Sequence, residues 1–155
     1  MNKVNTVKGV IASFMGVLNS IFGILAIPII LLVVCNIVDY VTGILASKFR
    51  GQQISSYKGI RGITKKIAMW LLVVVGAIFD ILLEYSVVQF GFVYPFSFVI
   101  AAIVAIWIVV NELISILENL KDMEAPIPDF LWNLTENLKS QIDTKTNAVN
   151  KEGGK

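Results

Sequence analysis

The chain has 155 residues, of which 56% are hydrophobic and 15% are charged, with a formal net charge of +2. A soluble domain carries about 25% charged residues, so this composition indicates an integral membrane protein with one domain. The sequence has no histidine and one cysteine, which excludes imidazole-based catalysis, an internal disulfide and the usual zinc sites. We therefore predict a protein that is not an enzyme, with no catalytic residue, cofactor, metal or nucleic acid partner.

The N-terminal segment, residues 1–21, is predicted to form an amphipathic helix. Apolar side chains such as Val7, Phe14 and Leu18 alternate with small side chains such as Gly9 and Ser13 at spacings of three and four residues. This pattern places the small and polar groups on one face of the helix. The helix lies on the membrane surface or packs against other helices through its small residues, and the sequence is compatible with both arrangements.

Three long apolar segments follow, and we predict that they span a membrane at about residues 22–46, 67–88 and 96–117. A membrane-spanning helix needs about 20 mostly apolar residues, and each segment has that length. The transmembrane domain thus covers residues 22–117. The predicted fold class is an all-α integral membrane protein with three transmembrane helices, or four if the N-terminal helix also crosses the membrane.

Basic residues are concentrated in the loop between the first two predicted spans. Residues 47–66 contain no acidic side chain and six basic ones, namely Lys48, Arg50, Lys58, Arg61, Lys65 and Lys66, whereas residues 86–95 contain no basic side chain. Because cytoplasmic loops are enriched in Lys and Arg, we predict that this loop is cytoplasmic and binds anionic lipid headgroups. The N-terminus is then outside for three spans and inside for four. Tight turns in the loop are predicted at Gly51, Gly59 and Gly62.

The C-terminal part of the chain has a more polar composition. Pro126 and Pro128 are predicted to end the last long helix, and Asp129 to cap a new one. Apolar side chains recur at helical spacing after this point, so residues 118–142 are predicted to be a short cytoplasmic amphipathic segment. Residues 143–155 are predicted to be a disordered polar tail.

Four acidic residues lie within or at the edge of the predicted spans, where an ionised carboxylate at the membrane centre costs a few kcal/mol. They are Asp39, Asp80, Glu84 and Glu112. Asp39 and Glu112 are within about 10 Å of the cytoplasmic surface, so we expect them to pair with Arg61, Lys65 or Lys66. The alternative is that they line a wet lumen between several copies. Asp80 has no basic residue at its depth, so we expect it to be protonated or to face water.

Each predicted span also carries a face of small or weakly polar residues. Small residues allow helices to approach closely, and polar ones form hydrogen bonds in lipid, so these faces are predicted to be helix contacts. The contacts form within one chain or between the subunits of a homo-oligomer. The candidate residues are Asn36, Asp39, Gly43, Gly76, Asp80, Glu84, Ala101, Ala105 and Glu112.

Sequence motifs occur in a defined order around the basic loop. The segment 39–46 reads DYVTGILA, two serines follow at 55–56, and the segment 61–66 reads RGITKK. A Pro-Ile-Pro sequence at 126–128 precedes the C-terminal amphipathic segment. Over about residues 20–140, this order resembles a bacteriophage holin family that includes the toxin-secretion holins of clostridia.

The resemblance implies a lysis protein of the bacterial cytoplasmic membrane. Such a protein accumulates harmlessly and then oligomerises abruptly into lesions that release a cell-wall hydrolase (an endolysin) or a toxin. Two alternatives fit the same sequence features. One is a small oligomeric ion channel or transporter subunit that uses the carboxylates as an ion path, and the other is a scaffold that recruits a cytoplasmic partner through the C-terminal segment.

The charge distribution predicts that Gln52 and Gln89 lie on opposite sides of the membrane. In a Cys35→Ala background, an impermeant maleimide should label the Gln89→Cys chain in intact cells and the Gln52→Cys chain only after permeabilisation. Labelling of both chains in intact cells would contradict the assignment. An Asn2→Cys chain distinguishes the three-span topology from the four-span topology. It should be labelled in intact cells if there are three spans, and only after permeabilisation if there are four.

Overall fold

A computed structural model describes residues 3–52, 56–95 and 97–152, and this part of the chain is almost entirely helical. A 3₁₀ turn, Gly23–Leu25, joins the first two helices. The five α-helices are α1 (Lys3–Phe22), α2 (Ala26–Phe49), α3 (Ser56–Gln89), α4 (Val99–Asp122) and α5 (Asp129–Glu152). The predicted all-α fold class is confirmed.

Three helical segments are long and apolar enough to cross a membrane. They are the run Lys3–Phe49, which includes α1 and α2, the segment Gly59–Gln89 of α3, and Val99–Asp122 of α4. With 24 residues, α2 alone is about 36 Å long, which exceeds the bilayer core of about 30 Å. The membrane-embedded part of the chain is therefore built on α2, α3 and α4, as the hydrophobic pattern predicts.

The helix α4 lies at the centre of this bundle. Both α2 and α3 pack against α4, whereas within the described residues they barely touch each other. Alanines on α4 form much of the contact, since Ala101 and Ala105 are completely buried. Larger side chains from all three helices fill the remaining core, namely Leu32, Cys35, Val73, Ile108 and Val109.

The helices α3 and α4 approach most closely where Gly76 meets Ala101. A Cβ atom added at Gly76 would lie 2.9 Å from the Cα atom of Ala101, which is shorter than side chains tolerate. Glycine is therefore required at this position by the distance between the two backbones. The small-residue faces predicted from the sequence form contacts within one chain at this crossing.

The connection between α2 and α3 is shorter than the predicted loop. Lys48 lies in the last turn of α2, and α3 begins at Ser56, so most of the basic residues are helical. The turn prediction holds for Gly51, which has a φ of +64°, but is wrong for Gly59 and Gly62, which lie inside α3. A glycine within a helix costs only about 0.5–1 kcal/mol relative to alanine, which is too little to interrupt a long helix.

The long helix α4 ends before the two prolines. Glu124 has a φ of +58°, the Ala125 N–H donates to the Leu120 carbonyl (3.1 Å), and the Glu124 N–H donates to the Lys121 carbonyl (2.9 Å). These two bonds form a Schellman motif, which satisfies carbonyls at the end of the helix. The backbone turn thus ends α4 at Asp122, and the prolines follow in the connection to α5.

The last helix extends further than predicted. We expected disorder from residue 143, but α5 continues to Glu152. Between Asp129 and Glu152 the sequence has neither glycine nor proline, so no residue interrupts helical hydrogen bonding until Gly153. Asp129 lies in the first turn, where a negative charge is favourable. The final residues, 153–155, lie outside the described part.

The first helix is largely exposed, and its last residue, Phe22, packs against the core. None of the α1 residues is buried, and its contacts are mainly with the 3₁₀ turn and α2. Gly23 has a φ of +52°, which interrupts the helix between α1 and α2. At about 1.5 Å per residue, the run Lys3–Phe49 of 47 residues is about 70 Å long, so it cannot cross the bilayer as one span.

Because of the close contact at Gly76, replacement by alanine should have opposite effects on stability at two glycines of α3. Gly76→Ala should destabilise the protein by about 1–3 kcal/mol, because the added methyl group pushes α4 away. Gly62→Ala is the matched control, because it meets no atom within 4 Å. It should be neutral or stabilising by up to about 1 kcal/mol. Unfolding of the purified protein in mixed detergent micelles measures both values, and equal effects would contradict the assigned contact.

Candidate functional site

A cluster of polar side chains connects the three helices towards the end of the bundle that carries the basic connection between α2 and α3. The Lys66 ammonium of α3 donates to Oδ2 of Asp39 (2.9 Å) and to Oδ1 of Asn36 (3.3 Å), both on α2. It also forms an ion pair with Glu112 of α4. Because α2 and α3 barely touch, the long Lys66 side chain provides the principal link between them.

Burial makes this cluster costly to disrupt. Only 4% of the Glu112 surface is exposed, and the Lys66 side chain is 17% exposed. Removing one partner of a buried ion pair leaves a charge without compensation, which is strongly destabilising. Among the three basic residues expected to pair with Asp39 and Glu112, the structure selects Lys66, whereas Arg61 and Lys65 are exposed.

A buried amide completes the cluster on the α2–α4 side. The Asn119 Nδ2 group donates to Oδ1 of Asp39 (3.1 Å) and to the Thr42 hydroxyl oxygen (3.2 Å). Gly43 lies beside this amide, since an added Cβ atom would lie 3.6 Å from Asn119 Nδ2, which is an ordinary van der Waals distance. Asn119 was not among the candidate residues. Its spacing of seven residues from Glu112, which places both on one face of α4, is the sequence signal that could have identified it.

The charges within this cluster do not balance. One ammonium, Lys66, faces two carboxylates, Asp39 and Glu112, so the cluster carries a formal charge of −1. The hydrogen-bonding groups are nevertheless satisfied, because no buried side-chain nitrogen or oxygen in the described residues lacks a partner. The arrangement stabilises one packing of three helices and retains an excess of negative charge.

A second buried carboxylate lies at the opposite end of the bundle and binds backbone groups. Asp80 on α3 is 2% exposed, and its two oxygens accept from the N–H groups of Ile100 (2.9 Å) and Ala101 (2.8 Å). These groups belong to the first turn of α4, whose N-cap residue, Phe98, has no capping side chain. Asp80 therefore caps α4 from a neighbouring helix, where the helix dipole favours a negative group.

This contact corrects the expectation for Asp80, which was that its side chain would be protonated or would face water. Instead, the carboxylate accepts hydrogen bonds from backbone N–H groups. Composition alone does not reveal that these donors are available, because their position depends on where α4 begins. Glu84, one turn further along α3, is exposed. The reason is geometric, since α4 starts beside Asp80 and has no residues beyond it to cover the next turn. The two carboxylates therefore have different environments despite sharing a helix face.

Further charged pairs join the helices at the end of the bundle where α2 and α4 terminate. Arg50, which follows α2, donates to Asp122 at the end of α4 (2.6 Å). The Lys121 ammonium lies 3.4 Å from the centre of the Trp132 ring, and Lys139 pairs with Glu118, so α5 contacts the end of α4. These contacts position α5 beside the bundle. The side chain of Lys58 lies outside the described part.

Most of the predicted contact residues meet inside one chain. Asn36, Asp39 and Glu112 meet at Lys66, while Asp80 and Gly76 meet the start of α4 at Ala101. Ala105 is buried in the same core, and Gly43 contacts Asn119. The use of these residues between copies stays a prediction, and so do the domain boundaries drawn from the sequence.

The cluster predicts coupling between Asp39 and Lys66. Asp39→Asn and Lys66→Gln should each destabilise the protein, and the double variant should be less unstable than the sum of the two by about 0.5–3 kcal/mol. Lys65→Gln is the matched control, because Lys65 is exposed and should combine additively with Asp39→Asn. Unfolding in detergent micelles measures all of these variants. Additivity for Lys66 as well would show that the two side chains do not interact.

Comparisons with known proteins identify a family and several relatives. Residues 16–140 match the family model of the bacteriophage holin family. A protein of Clostridium perfringens is 32% identical over 133 residues, which cover 85% of this chain and 90% of that protein. A 14.9 kDa protein of Clostridium perfringens is 31% identical over 140 residues, or 90% and 98% of the two chains. A Listeria innocua protein is 33% identical over 125 residues, or 80% of each chain.

These three relatives are uncharacterised proteins. No solved structure matches the chain. The family match includes α2, α3 and α4 completely, together with the Lys66 cluster and the Asp80 cap. The resemblance that we noted in the sequence motifs is thereby confirmed, and the chain belongs to the bacteriophage holin family.

Proposed function

We propose that the protein is a holin. It oligomerises in the bacterial cytoplasmic membrane and forms lesions, which release a cell-wall hydrolase or a toxin and cause lysis of the host cell. The observation that carries this proposal is the family match over residues 16–140. The three helical segments that are long and apolar enough to cross a membrane support it.

The properties of a single chain suit harmless accumulation before lysis. The partly buried carboxylate of Asp39 and the buried carboxylates of Asp80 and Glu112 all have partners within the chain. The outward faces of α2, α3 and α4 carry exposed apolar side chains, such as Leu72 and Ile103, which lipid covers. A chain with these properties provides no water path by itself, so permeability requires several copies.

Assembly is the second stage of the proposal. During assembly, the predicted contact residues on α2, α3 and α4 lose some of their contacts within one chain and form contacts with other copies. The polar side chains that pair inside the chain then face water at the edge of a lesion. Because each new contact favours the next, lateral association is cooperative and begins above a threshold density. This step makes lysis abrupt.

The proposed lipid partner is an anionic headgroup on the cytoplasmic side. Lys48, Arg61 and Lys65 are exposed, near the end of the bundle that the proposal places in the cytoplasm. Their charges are close enough to the membrane surface to attract phosphate groups, each by about 1 kcal/mol. The hydrolase or toxin is a functional partner that passes through the lesion, and the proposal requires no binding site for it.

Expression together with a wall hydrolase that lacks a signal peptide tests the function. The culture should grow normally and then lose membrane potential and lyse suddenly, with earlier onset at higher expression. Ala105→Leu should shift the time of lysis, because Ala105 is completely buried between helices. Ile103→Leu is the matched control on the same helix, because Ile103 is 62% exposed, and its lysis time should be unchanged.

The alternative function, an ion channel or transporter subunit, gives different results in the same experiment. A gradual ion leak from the start of expression would reject the holin proposal. Depolarisation without release of a folded cytoplasmic protein would also reject it. Equal lysis times for Ala105→Leu, Ile103→Leu and the unchanged chain would reject the proposed contacts but not the holin function.

A further inference from the structure

A pocket with two basic side chains lies on one face of α3, near the start of that helix and outside the bundle core. It has a volume of about 450 Å³. Its described lining residues recur at helical spacing and are Tyr57, Ile60, Arg61, Thr64, Lys65 and Ala68. We call it the basic pocket, because the charged residues among them are Arg61 and Lys65 and none is acidic.

The two cations of the basic pocket differ from other cations at this end of the bundle. Lys66 pairs with carboxylates of α2 and α4, and Arg50 pairs with a carboxylate at the end of α4. Within the described residues, no acidic side chain forms an ion pair with Arg61 or Lys65, and both side chains are exposed. The positive charge of the pocket therefore favours an anionic ligand.

The depth of the basic pocket coincides with the phosphate layer of a bilayer. The mostly apolar stretch of α3, residues 67–88, is about 33 Å long, which matches the hydrocarbon core of about 30 Å. Lys65 and Arg61 precede this stretch by about 3 Å and 9 Å along the helix axis. The headgroup layer extends about 5–8 Å beyond the core, and both long side chains reach it.

An apolar strip continues from the basic pocket towards the hydrocarbon core. Ala68 lines the pocket on this side, and its small side chain leaves space below the two cations. Leu71, Leu72 and Val75 follow at helical spacing on the same face of α3, and all three are exposed. The surface therefore matches both parts of a phospholipid, with cations at the phosphate and apolar side chains along an acyl chain. A free inorganic anion would use only the first part.

We propose that the basic pocket binds one anionic phospholipid, with its phosphate between Arg61 and Lys65 and one acyl chain along the strip below Ala68. The guanidinium and the ammonium both donate to phosphate oxygens. The Thr64 hydroxyl donates to the Ile60 carbonyl (3.0 Å), so the two cations supply the bonds to the phosphate. A phosphatidylglycerol headgroup, whose one charge is the phosphate, suits two cations better than a zwitterionic headgroup, which adds a third cation.

This inference rests on the lipid partner of the proposed function and deepens it. General attraction to an anionic membrane requires only positive charge near the surface. The proposed site requires that charge on one face of α3, above an apolar strip. A lipid bound in this way holds the start of α3 at the level of the headgroups and thereby fixes the depth of the bundle.

Native mass spectrometry of the purified chain, released from detergent micelles, tests the site. The chain is mixed with equal amounts of dioleoylphosphatidylglycerol and dioleoylphosphatidylcholine. The adduct of one phosphatidylglycerol per chain should exceed the phosphatidylcholine adduct several-fold. Arg61→Gln should reduce the phosphatidylglycerol adduct several-fold, and Arg61→Gln combined with Lys65→Gln should abolish the preference between the two lipids.

Two controls separate a site from general attraction. Lys48→Gln removes the same charge from an exposed position outside the basic pocket, so the lipid preference should be unchanged. Gly62→Arg in the Arg61→Gln chain restores the net charge on a different face of α3. A Cβ atom added at Gly62 meets no atom within 4 Å, so the helix accommodates this change. The restored charge should not restore the phosphatidylglycerol adduct.

A second pair of variants tests the apolar part of the site without a change in charge. Ala68→Phe fills the space below the two cations and should reduce the phosphatidylglycerol adduct several-fold. Ile63→Phe is the matched control, because Ile63 is 47% exposed on the same helix and does not line the basic pocket. Its adduct should equal that of the unchanged chain.

Four outcomes would overturn the proposal. Equal adducts of the two lipids would show no preference for the anionic one, and a preference that survives the loss of both Arg61 and Lys65 would place it elsewhere. Rescue by Gly62→Arg would indicate general attraction. An adduct that survives Ala68→Phe but is displaced by inorganic phosphate would indicate a site for free anions. Because binding is measured without a hydrolase, a chain that lyses cells but shows no lipid preference overturns this site and leaves the proposed function standing.

Discussion

The structure depends on the cost of placing charged side chains in a membrane bundle. Lys66 offsets this cost towards the end that carries the basic connection between α2 and α3, because it reaches from α3 to Asp39 on α2 and Glu112 on α4. The helices α2 and α3 have little direct contact, so their relative position at this end depends on a shared polar partner and on packing against α4. Partial separation of the helices would leave charges without partners, which favours one packing of the three helices.

At the opposite end of the bundle, backbone hydrogen bonds instead of an ion pair stabilise the buried carboxylate. Asp80 accepts two backbone N–H groups from the first turn of α4, so a carboxylate and a helix N-terminus satisfy each other. Gly76, one turn earlier on α3, allows the two backbones to approach closely enough for these bonds. The central helix is thus positioned at one end by a cap from its neighbour and at the other by an ion-pair cluster. Small residues such as Ala105 form the contact between the two ends.

These contacts explain how a single chain can be stable in lipid. Within the described residues, buried polar side chains are satisfied, which leaves apolar faces towards the lipid. Two surfaces remain exposed after this packing. They are the groove between α2 and α3 and the helix α1, none of whose residues is buried.

The sequence alone determined the helical class, the three membrane-crossing segments and the basic character of one membrane side, because these depend on local hydropathy and charge. It also identified Asp39 and Glu112 as residues in need of a partner, since a carboxylate in an apolar segment has few alternatives. Only the tertiary structure selected Lys66 over Lys65, because the choice depends on which face of α3 meets α2 and α4. The partner of Asp80 depended on tertiary structure for a similar reason. Backbone N–H groups at the start of a helix carry no signature in composition, and they became available to Asp80 only through the close packing of α3 against α4.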